Sequence, residues 1–124
     1  MAKTVLVVDD SAMMRKIVQK NLRELGVELS YIEAADGKEA LNAFAKGGID
    51  LILTDWNMPN MTGIELVKEL RKIDPEKKVP IIMVTSEATA DKVKEAVAAG
   101  VNNYVSKPFT TDVLRQKIGP LVGL

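Results

Sequence analysis

The chain of 124 residues contains no cysteine and no histidine. Without cysteine it can form neither a disulfide framework nor a thiolate metal site, which favours a reducing compartment. Without histidine it lacks the usual general base, the commonest transition-metal ligand and any phosphohistidine of its own. Any reactive site must therefore be built from other side chains.

An excess of one charge and long apolar runs are missing as well. Seventeen basic residues balance seventeen acidic ones, so no bulk field favours nucleic acid or an anionic membrane as a partner. The longest apolar runs, such as 5–8 and 81–84, are far shorter than the roughly 18 to 20 residues that cross a bilayer. No signal-peptide pattern follows Lys3. We expect one cytoplasmic, monomeric domain over residues 1–124.

Short apolar runs alternate with segments of helical periodicity. The predicted strands are 5–8, 29–34, 49–53, 79–84 and 103–105. The predicted helices begin near Asp10 or Ser11, Asp36, Thr62, Ala88, and Thr111 or Asp112. This alternation predicts an α/β fold, a doubly wound five-stranded parallel sheet of order 2-1-3-4-5 with five helices, as in flavodoxin. The second strand mixes polar and apolar residues, which is typical of a sheet edge.

The helical spacing also predicts which side chains point inward. Ile17, Ile73 and Val97 are expected to be buried, because each continues an apolar stripe. The opposite face of the first helix is expected to be solvated, with a docking surface as the alternative. That face carries Arg15, Lys16, Gln19, Lys20 and Arg23.

Polar residues follow four of the predicted strands. Asp9 and Asp10 follow the first strand, Asp55 the third, Thr85 the fourth and Lys107 the fifth. The carboxyl ends of parallel strands share one edge of the sheet, and function gathers where the strand order reverses. Two like charges 4 Å apart repel by roughly 4 kcal/mol at the effective dielectric of a protein surface, so a cation is expected here. A few oxygen ligands favour Mg²⁺.

The remaining strand ends suit a phosphoryl group. We expect Thr85 and Lys107 on the side away from the acid pair, where a hydroxyl and an ammonium can meet equatorial phosphoryl oxygens. Asp55 is ionised near neutral pH and can attack phosphorus without a general base. Each residue alone has an ordinary explanation, as a helix cap or a surface charge. Together they predict a site that holds a phosphoryl group on Asp55.

Four segments carry a resemblance to a known family. They are VLVVDDS at 5–11, ILTDWNMPNMTG at 52–63, MVTSE at 83–87 and YVSKPF at 104–109. The chain resembles the receiver domains of two-component response regulators over essentially its whole length, and is most similar to the stand-alone chemotaxis regulators.

The resemblance implies a role for each residue of the acid cluster. Asp55 would accept the phosphoryl group from a histidine kinase. Asp10 and Asp55 would bind Mg²⁺ through their side chains, Asn57 through its main-chain carbonyl and Asp9 mostly through water.

The resemblance also implies a switch. Lys107 would contact the phosphoryl oxygens, Thr85 would move toward them, and Tyr104 would rotate inward to alter the face formed by the fourth helix, fifth strand and fifth helix. Pro108 resembles the cis proline of the family. Apart from self-phosphorylation from a phosphodonor and autodephosphorylation, no enzymatic activity is implied.

The implied output is binding to the flagellar motor switch protein, with a phosphatase as a further possible partner. Glu87 and the lack of an output domain after Leu124 favour this stand-alone role. Positive charge on the output helices would suit an acidic peptide, or form a solvated face. The residues concerned are Lys92, Lys94, Arg115 and Lys117.

Three alternatives differ in their output or chemistry. The first is a receiver that acts as a phosphorelay intermediate or in a pathway other than chemotaxis. The second is a magnesium-dependent phosphohydrolase, which would commonly place an acid where Asn57 stands and would need a lid. The third is a flavin carrier, whose phosphate Asp9 and Asp10 would repel.

Overall fold

The computed structural model describes residues 2–86 and 89–123. Within these ranges the strands are β1 (Lys3–Val8), β2 (Leu29–Ala34), β3 (Leu51–Thr54), β4 (Ile81–Thr85) and β5 (Asn103–Ser106). The helices are α1 (Ala12–Arg23), α2 (Gly37–Ala45), α3 (Gly63–Ile73), α4 (Ala90–Ala99) and α5 (Thr111–Ile118), followed by a 3₁₀ turn, Gly119–Val122. No helix in these ranges is long and apolar enough to span a bilayer.

The five strands form one parallel sheet in the order β2-β1-β3-β4-β5. This confirms the predicted fold class and the position of the second strand at an edge. In the centre of the sheet, Val8 of β1 pairs with Thr54 of β3. The next residue of each strand is an aspartate, so Asp9 and Asp55 leave the sheet side by side.

Successive side chains of each strand enter opposite layers of the core. Val5 and Val7 pack with α1 and α5, whereas Leu6 and Val8 pack with α2, α3 and α4. Both faces of the sheet are therefore covered, which explains why its central strands are continuous apolar runs rather than alternating ones.

Each α-helix begins at a side chain that accepts a hydrogen bond from a backbone N–H of the first turn. These capping residues are Ser11, Asp36, Thr62, Thr89 and Thr110. Thr62 and Glu65 form a reciprocal capping box. The last helix begins at Thr111, one of the two predicted starts, and Thr110 is its cap. The predicted start of the fourth helix, Ala88, lies outside the described residues.

Several predicted boundaries and burials were wrong. The third and fourth strands begin two residues later than predicted and end one residue later. Ile17 is 39% exposed, Ile73 53% and Val97 59%. On α4 only Ala96 is fully buried, because the helix meets the core along a narrow stripe that excludes Val97. Ile73 is the last residue of α3 and is not among its buried residues.

Candidate functional site

Backbone hydrogen bonds fix the two aspartates that follow β1 and β3. The N–H of Asp55 donates to the carbonyl of Val8 at 3.0 Å, and the N–H of Asp9 donates to the carbonyl of Ala34 at 3.1 Å. Each bond extends the sheet ladder by one residue. The positions of these carboxylates are therefore set by the sheet itself and not by a mobile loop.

Three carboxylates converge at this edge of the sheet, as predicted. One oxygen each of Asp9, Asp10 and Asp55 lies within 4.8 Å of the other two. Asp9 is buried, Asp55 is half-buried and Asp10 is exposed. The cluster thus has a rigid inner side and one side open to solvent.

The electrostatics of Asp55 reflect this crowding. Burial, the largest cause, raises its pKa; the Lys107 ammonium opposes the rise, and the negative charge of Asp9 adds to it. The N–H of Trp56 donates to Asp55 Oδ1 at 2.8 Å and favours the ionised form. The pKa of Asp55 is raised overall. The cation and the N–H donor beside this carboxylate therefore offset its burial and the repulsion from Asp9 only in part.

Lys107 lies among the acids, which corrects the prediction that it lies away from them. Its Nζ is 3.3 Å from Asp9 Oδ2 and 3.5 Å from Asp55 Oδ1. Three neighbouring carboxylates attract the nearest flexible cation, and the N–H of Lys107 is itself tied to the carbonyl of Thr85 at 2.8 Å. The Lys107–Pro108 peptide is cis, as the resemblance implied.

Asp9 is held through its main chain as well as its carboxylate. Its Oδ1 accepts from the N–H of Ser11 at 2.9 Å, and its carbonyl accepts from Arg15 Nη1 at 2.7 Å. The expectation that Arg15 is solvated is therefore wrong, and the same expectation for Gln19 is wrong because that residue is buried. The Arg15 side chain is only 15% exposed because it also binds Glu33 of β2. The sequence pattern that could have revealed this contact is an acidic residue, Glu33, on the edge strand β2, combined with a row of basic residues on one face of α1.

The loop after Asp55 depends on a glycine. The N–H of Gly63 donates to the carbonyl of Trp56 at 2.7 Å, and a Cβ on Gly63 would lie 2.3 Å from the carbonyl oxygen of Asp55. No side chain fits at that distance. Gly63 therefore allows α3 to begin directly against the backbone of the acid cluster.

The other predicted site residues lie around this cluster. Thr85 is fully buried at the end of β4, Tyr104 is largely buried on β5, and Asn57 is exposed two residues after Asp55. Their roles in metal binding and switching stay predictions. Glu87 lies outside the described residues. The structure adds one contact that the sequence did not indicate, the Lys92 ammonium of α4 over the Trp56 ring, 4.4 Å from its centroid.

The residues present fit a small divalent cation. Their donors are oxygens, they are close enough to share one ion, and they carry three negative charges, two of which lie beside the Lys107 ammonium. Oxygen donors with open, solvated positions suit Mg²⁺, which keeps several of its waters. Asp10 provides that open side.

Comparisons with known proteins agree with this geometry. A family model described as the response regulator receiver domain matches residues 5–119. The chain is 48% identical over 114 residues to the chemotaxis protein CheY of Pseudomonas aeruginosa, covering 92% of this chain and 91% of that protein. Its fold is similar to the crystallised chemotaxis protein CheY4 of Vibrio cholerae, with a TM-score of 0.87 and 37% identity over 98% of this chain and 99% of that one.

A third comparison concerns the metal. The receiver domain of a sensor histidine kinase of Pseudomonas aeruginosa PAO1 is 27% identical to this chain, with a TM-score of 0.85 and complete coverage of both chains. That structure is described as having a magnesium ion coordinated in its active-site cleft.

Proposed function

This chain belongs to the response regulator receiver domain family, and from that premise we propose that it is a phosphorylation-activated signalling switch in which Asp55 accepts a phosphoryl group. The observation that carries the proposal is the convergence of Asp9, Asp10 and Asp55 within 4.8 Å, with Lys107 Nζ 3.5 Å from Asp55. Receiver domains of this kind interact with histidine kinases or phosphotransfer proteins and with downstream targets. A histidine kinase is therefore the proposed donor.

The proposed chemistry is one in-line transfer. A carboxylate oxygen of Asp55 attacks the phosphorus of a phosphohistidine, a P–O bond forms, and the P–N bond breaks with its electron pair leaving on the imidazole. Negative charge spreads over the equatorial phosphoryl oxygens in the transition state. The Lys107 ammonium, already beside Asp55, can donate to one of these oxygens. The same site would later release the group by hydrolysis, so the only catalysis proposed is on the chain itself.

Mg²⁺ is the proposed cofactor. The side chains of Asp10 and Asp55 and the main-chain carbonyl of Asn57 would hold it, with Asp9 acting mostly through water. When bound, the ion neutralises charge on the carboxylates and on the transferred group. The magnesium described in the related receiver domain supports this assignment.

The chain's own residues prepare Asp55 for attack. Burial raises the pKa of Asp55, which makes the carboxylate more basic, while Lys107 and the N–H of Trp56 oppose this rise in pKa. The bond from its backbone N–H to the carbonyl of Val8 fixes its main chain at the end of the sheet. Orientation is thus supplied by the sheet.

We place the proposed output on the face formed by α4, β5 and α5. Thr85 would move toward the phosphoryl group and Tyr104 would then rotate inward, a local charge event that biases an element read elsewhere. The Lys117 ammonium of α5 donates to the carbonyl of Tyr104, so the two elements of this face are directly joined. The proposed partner is the flagellar motor switch protein, in the cytoplasm, with a phosphatase as a further partner. Similarity to chemotaxis proteins over nine-tenths of the chain supports this choice.

Intact-mass analysis after incubation with a small phosphodonor and Mg²⁺ tests the acceptor. We expect one labile phosphoryl adduct, reduced without Mg²⁺ and lost in Asp55→Asn. Asp112→Asn is the matched control, because Asp112 is 93% exposed on α5 and should leave the adduct unchanged. A stable adduct at another residue, or none, would contradict the proposal.

A binding experiment tests the output separately. Immobilised motor switch protein and a histidine phosphotransfer protein are each offered the chain with and without phosphodonor. We expect phosphorylation to strengthen binding to the motor protein. If binding to the motor protein is unchanged while transfer to the phosphotransfer protein is efficient, the chain is a phosphorelay intermediate and the chemotaxis output is wrong.

A further inference from the structure

We propose that Arg15 is a positioning residue for the acid cluster, which directs Asp9 and Asp10 toward Mg²⁺ by holding the peptide group between them. The inference rests on the proposed function, since it concerns the same site. It assigns a task to a residue outside the acid cluster that sequence periodicity placed on a solvated face.

Arg15 bridges two different elements. Its Nε donates to Glu33 Oε1 on the edge strand β2 at 2.9 Å, and its Nη1 donates to the main-chain carbonyl of Asp9 at 2.7 Å. The two bonds use separate N–H groups of one planar guanidinium, so the position of Glu33 fixes the direction of the bond to Asp9. The side chain is 15% exposed, which shields both bonds from water.

The bound oxygen belongs to the peptide unit that joins Asp9 to Asp10. That unit is planar, so orienting its carbonyl also orients the N–H and Cα of Asp10. The other contacts of Asp9 hold its own N–H and carboxylate, through Ala34, Ser11 and Lys107. The Arg15 bond is the contact in this set that acts on the peptide leading to Asp10.

Asp10 gains most from such support because it is the exposed member of the cluster. Its neighbours repel it, and like charges a few ångströms apart tend to turn away from one another. A fixed peptide plane limits that movement before the metal arrives. Partners that orient metal ligands typically change metal affinity by about 10- to 100-fold when they are removed.

A positioning role and a simple charge effect predict opposite results. Arg15 is a cation near the metal site, so as a charge alone it weakens Mg²⁺ binding, and its removal would strengthen it. As a positioning group it strengthens binding, and its removal would weaken it. Lys16 separates the two, because it binds the same Glu33 carboxylate at 2.7 Å and is 68% exposed. Its recorded bond is to Glu33, whereas Arg15 reaches the Asp9 carbonyl.

The experiment is a calorimetric Mg²⁺ titration of the full chain and its variants. We expect Arg15→Met to raise the Mg²⁺ dissociation constant roughly tenfold, and Lys16→Met to leave it unchanged or slightly lower. Arg15→Lys keeps the charge but lacks the fork that spans both acceptors, so it should resemble Arg15→Met. The phosphorylation rate of Arg15→Met should recover at saturating Mg²⁺, which a general structural defect would not show.

Glu33→Gln tests the bridge from its other end and decides the matter if Arg15→Met does not fold. It leaves Arg15 in place but weakens its anchor, so a smaller loss of Mg²⁺ affinity is expected. Equal or tighter binding in Arg15→Met, or an equal loss in Lys16→Met, would overturn the inference and leave the proposed function intact. A wild-type chain that binds no Mg²⁺ would overturn both.

Discussion

At the carboxyl edge of the sheet Lys107 contacts two of three clustered aspartates, whereas at the amino edge Arg71 is enclosed by hydrogen-bond acceptors. Arg71 donates from Nε and Nη2 to the carbonyl of Gly100, from Nη2 to Asn102 Oδ1, and from Nη1 to the carbonyl of Val79 and to Asp74 Oδ2. All five of its N–H groups are used. We call the Arg71 group at the amino edge the satisfied cluster, because every donor of the guanidinium has an acceptor. The three aspartates at the carboxyl edge form the unsatisfied cluster, because their negative charges are balanced only in part.

Two aspartates show the difference directly. At Asp74 burial is the largest single influence and would raise the pKa, but the backbone N–H groups of Val79 and Lys78 and the charge of Arg71 together lower it. At Asp55 burial prevails over the charge of Lys107, and the pKa is raised. The amino edge therefore favours ionisation of its carboxylate in the fold, while the carboxyl edge retains repulsion that an added cation or phosphoryl group can relieve.

The largest loss of stability is expected when Arg71 is removed from the satisfied cluster. Arg71→Met removes the cation paired with Asp74 and leaves the carbonyls of Val79 and Gly100 without this donor. Breaking a buried, hydrogen-bonded ion pair costs about 3–5 kcal/mol. Urea denaturation should show a loss of that size. The folded fraction should still form the Asp55 adduct, because the cluster lies at the other end of the sheet.

Lys72→Met is the matched control for Arg71. Lys72 is the next residue of α3, and its pair with Glu69 is largely exposed, with 72% of the lysine side chain accessible. Such pairs contribute about 0–1 kcal/mol. A similar loss in both variants would show that the amino edge is not a special source of stability.

A pair of glycines extends the comparison. A Cβ on Gly100 would lie 2.8 Å from Arg71 Cγ at a φ of +115°, and one on Gly63 would lie 2.3 Å from the Asp55 carbonyl. We expect both alanine variants to lose about 1–3 kcal/mol, from overpacking and, at Gly100, from the left-handed backbone. Only Gly63→Ala should also weaken Mg²⁺ binding and slow phosphorylation.

Denaturation and Mg²⁺ titration of both glycine variants check this expectation. The decisive quantity is the ratio of Mg²⁺ affinities, since both variants are destabilised. If Gly100→Ala loses as much affinity as Gly63→Ala, the two edges are coupled more strongly than their separate contacts indicate.

The carboxyl edge was more predictable from sequence than the amino edge. Asp9, Asp55 and Lys107 directly follow apolar strands, and parallel topology brings such positions together whatever their rotamers. The Arg71 cluster joins residues 29 and 31 positions apart through main-chain carbonyls, which no residue type marks. The position of the Lys107 ammonium was predicted wrongly for a related reason. The direction of a long side chain depends on charges that other elements of the fold supply.

Periodicity predicted the helices and strands but not how far each helix covers the sheet. Val97 has the spacing of an inward residue, yet α4 buries only Ala96 completely, and the helix packs beside α3. Arg15 shows the opposite error, a charged residue on the polar face that is drawn inward by Glu33. In both cases the partner element decides burial, and the helix sequence alone does not contain that information.

A smaller effect of opposite sign, a gain in stability, is expected from a substitution in the unsatisfied cluster. In metal-free protein at neutral pH, Asp55→Asn removes a buried, repelled charge and should raise stability by on the order of 1 kcal/mol. Because the folded-state pKa of Asp55 is raised, its contribution to stability is fully present below the unfolded pKa and is lost as pH rises through the folded pKa. The advantage of the asparagine variant should therefore shrink as pH falls.

Denaturation of wild type and Asp55→Asn with a chelator, at neutral and at acidic pH, measures this difference. Excess Mg²⁺ should reverse the order, since a ligand at 100 times its dissociation constant stabilises the protein that binds it by about 2.7 kcal/mol. A less stable asparagine variant in the chelator would mean that Lys107 compensates Asp55 fully.

The smallest effect is expected at Glu33, which lies behind the unsatisfied cluster. Hydrogen bonds from Lys16, and then from Arg15, lower its pKa from 4.5 to about 2. A lowered folded-state pKa gives stability that is present above 4.5 and lost as pH falls through about 2. The carboxylate is 30% exposed and screened by salt, so Glu33→Gln should lose only about 0.3–1 kcal/mol at neutral pH. The deficit should vanish in acid and shrink in high salt. Glu76→Gln should show none, because the pair of Glu76 with Lys78 is largely exposed. A deficit that persists in acid would mean that Glu33 acts by packing and not by charge.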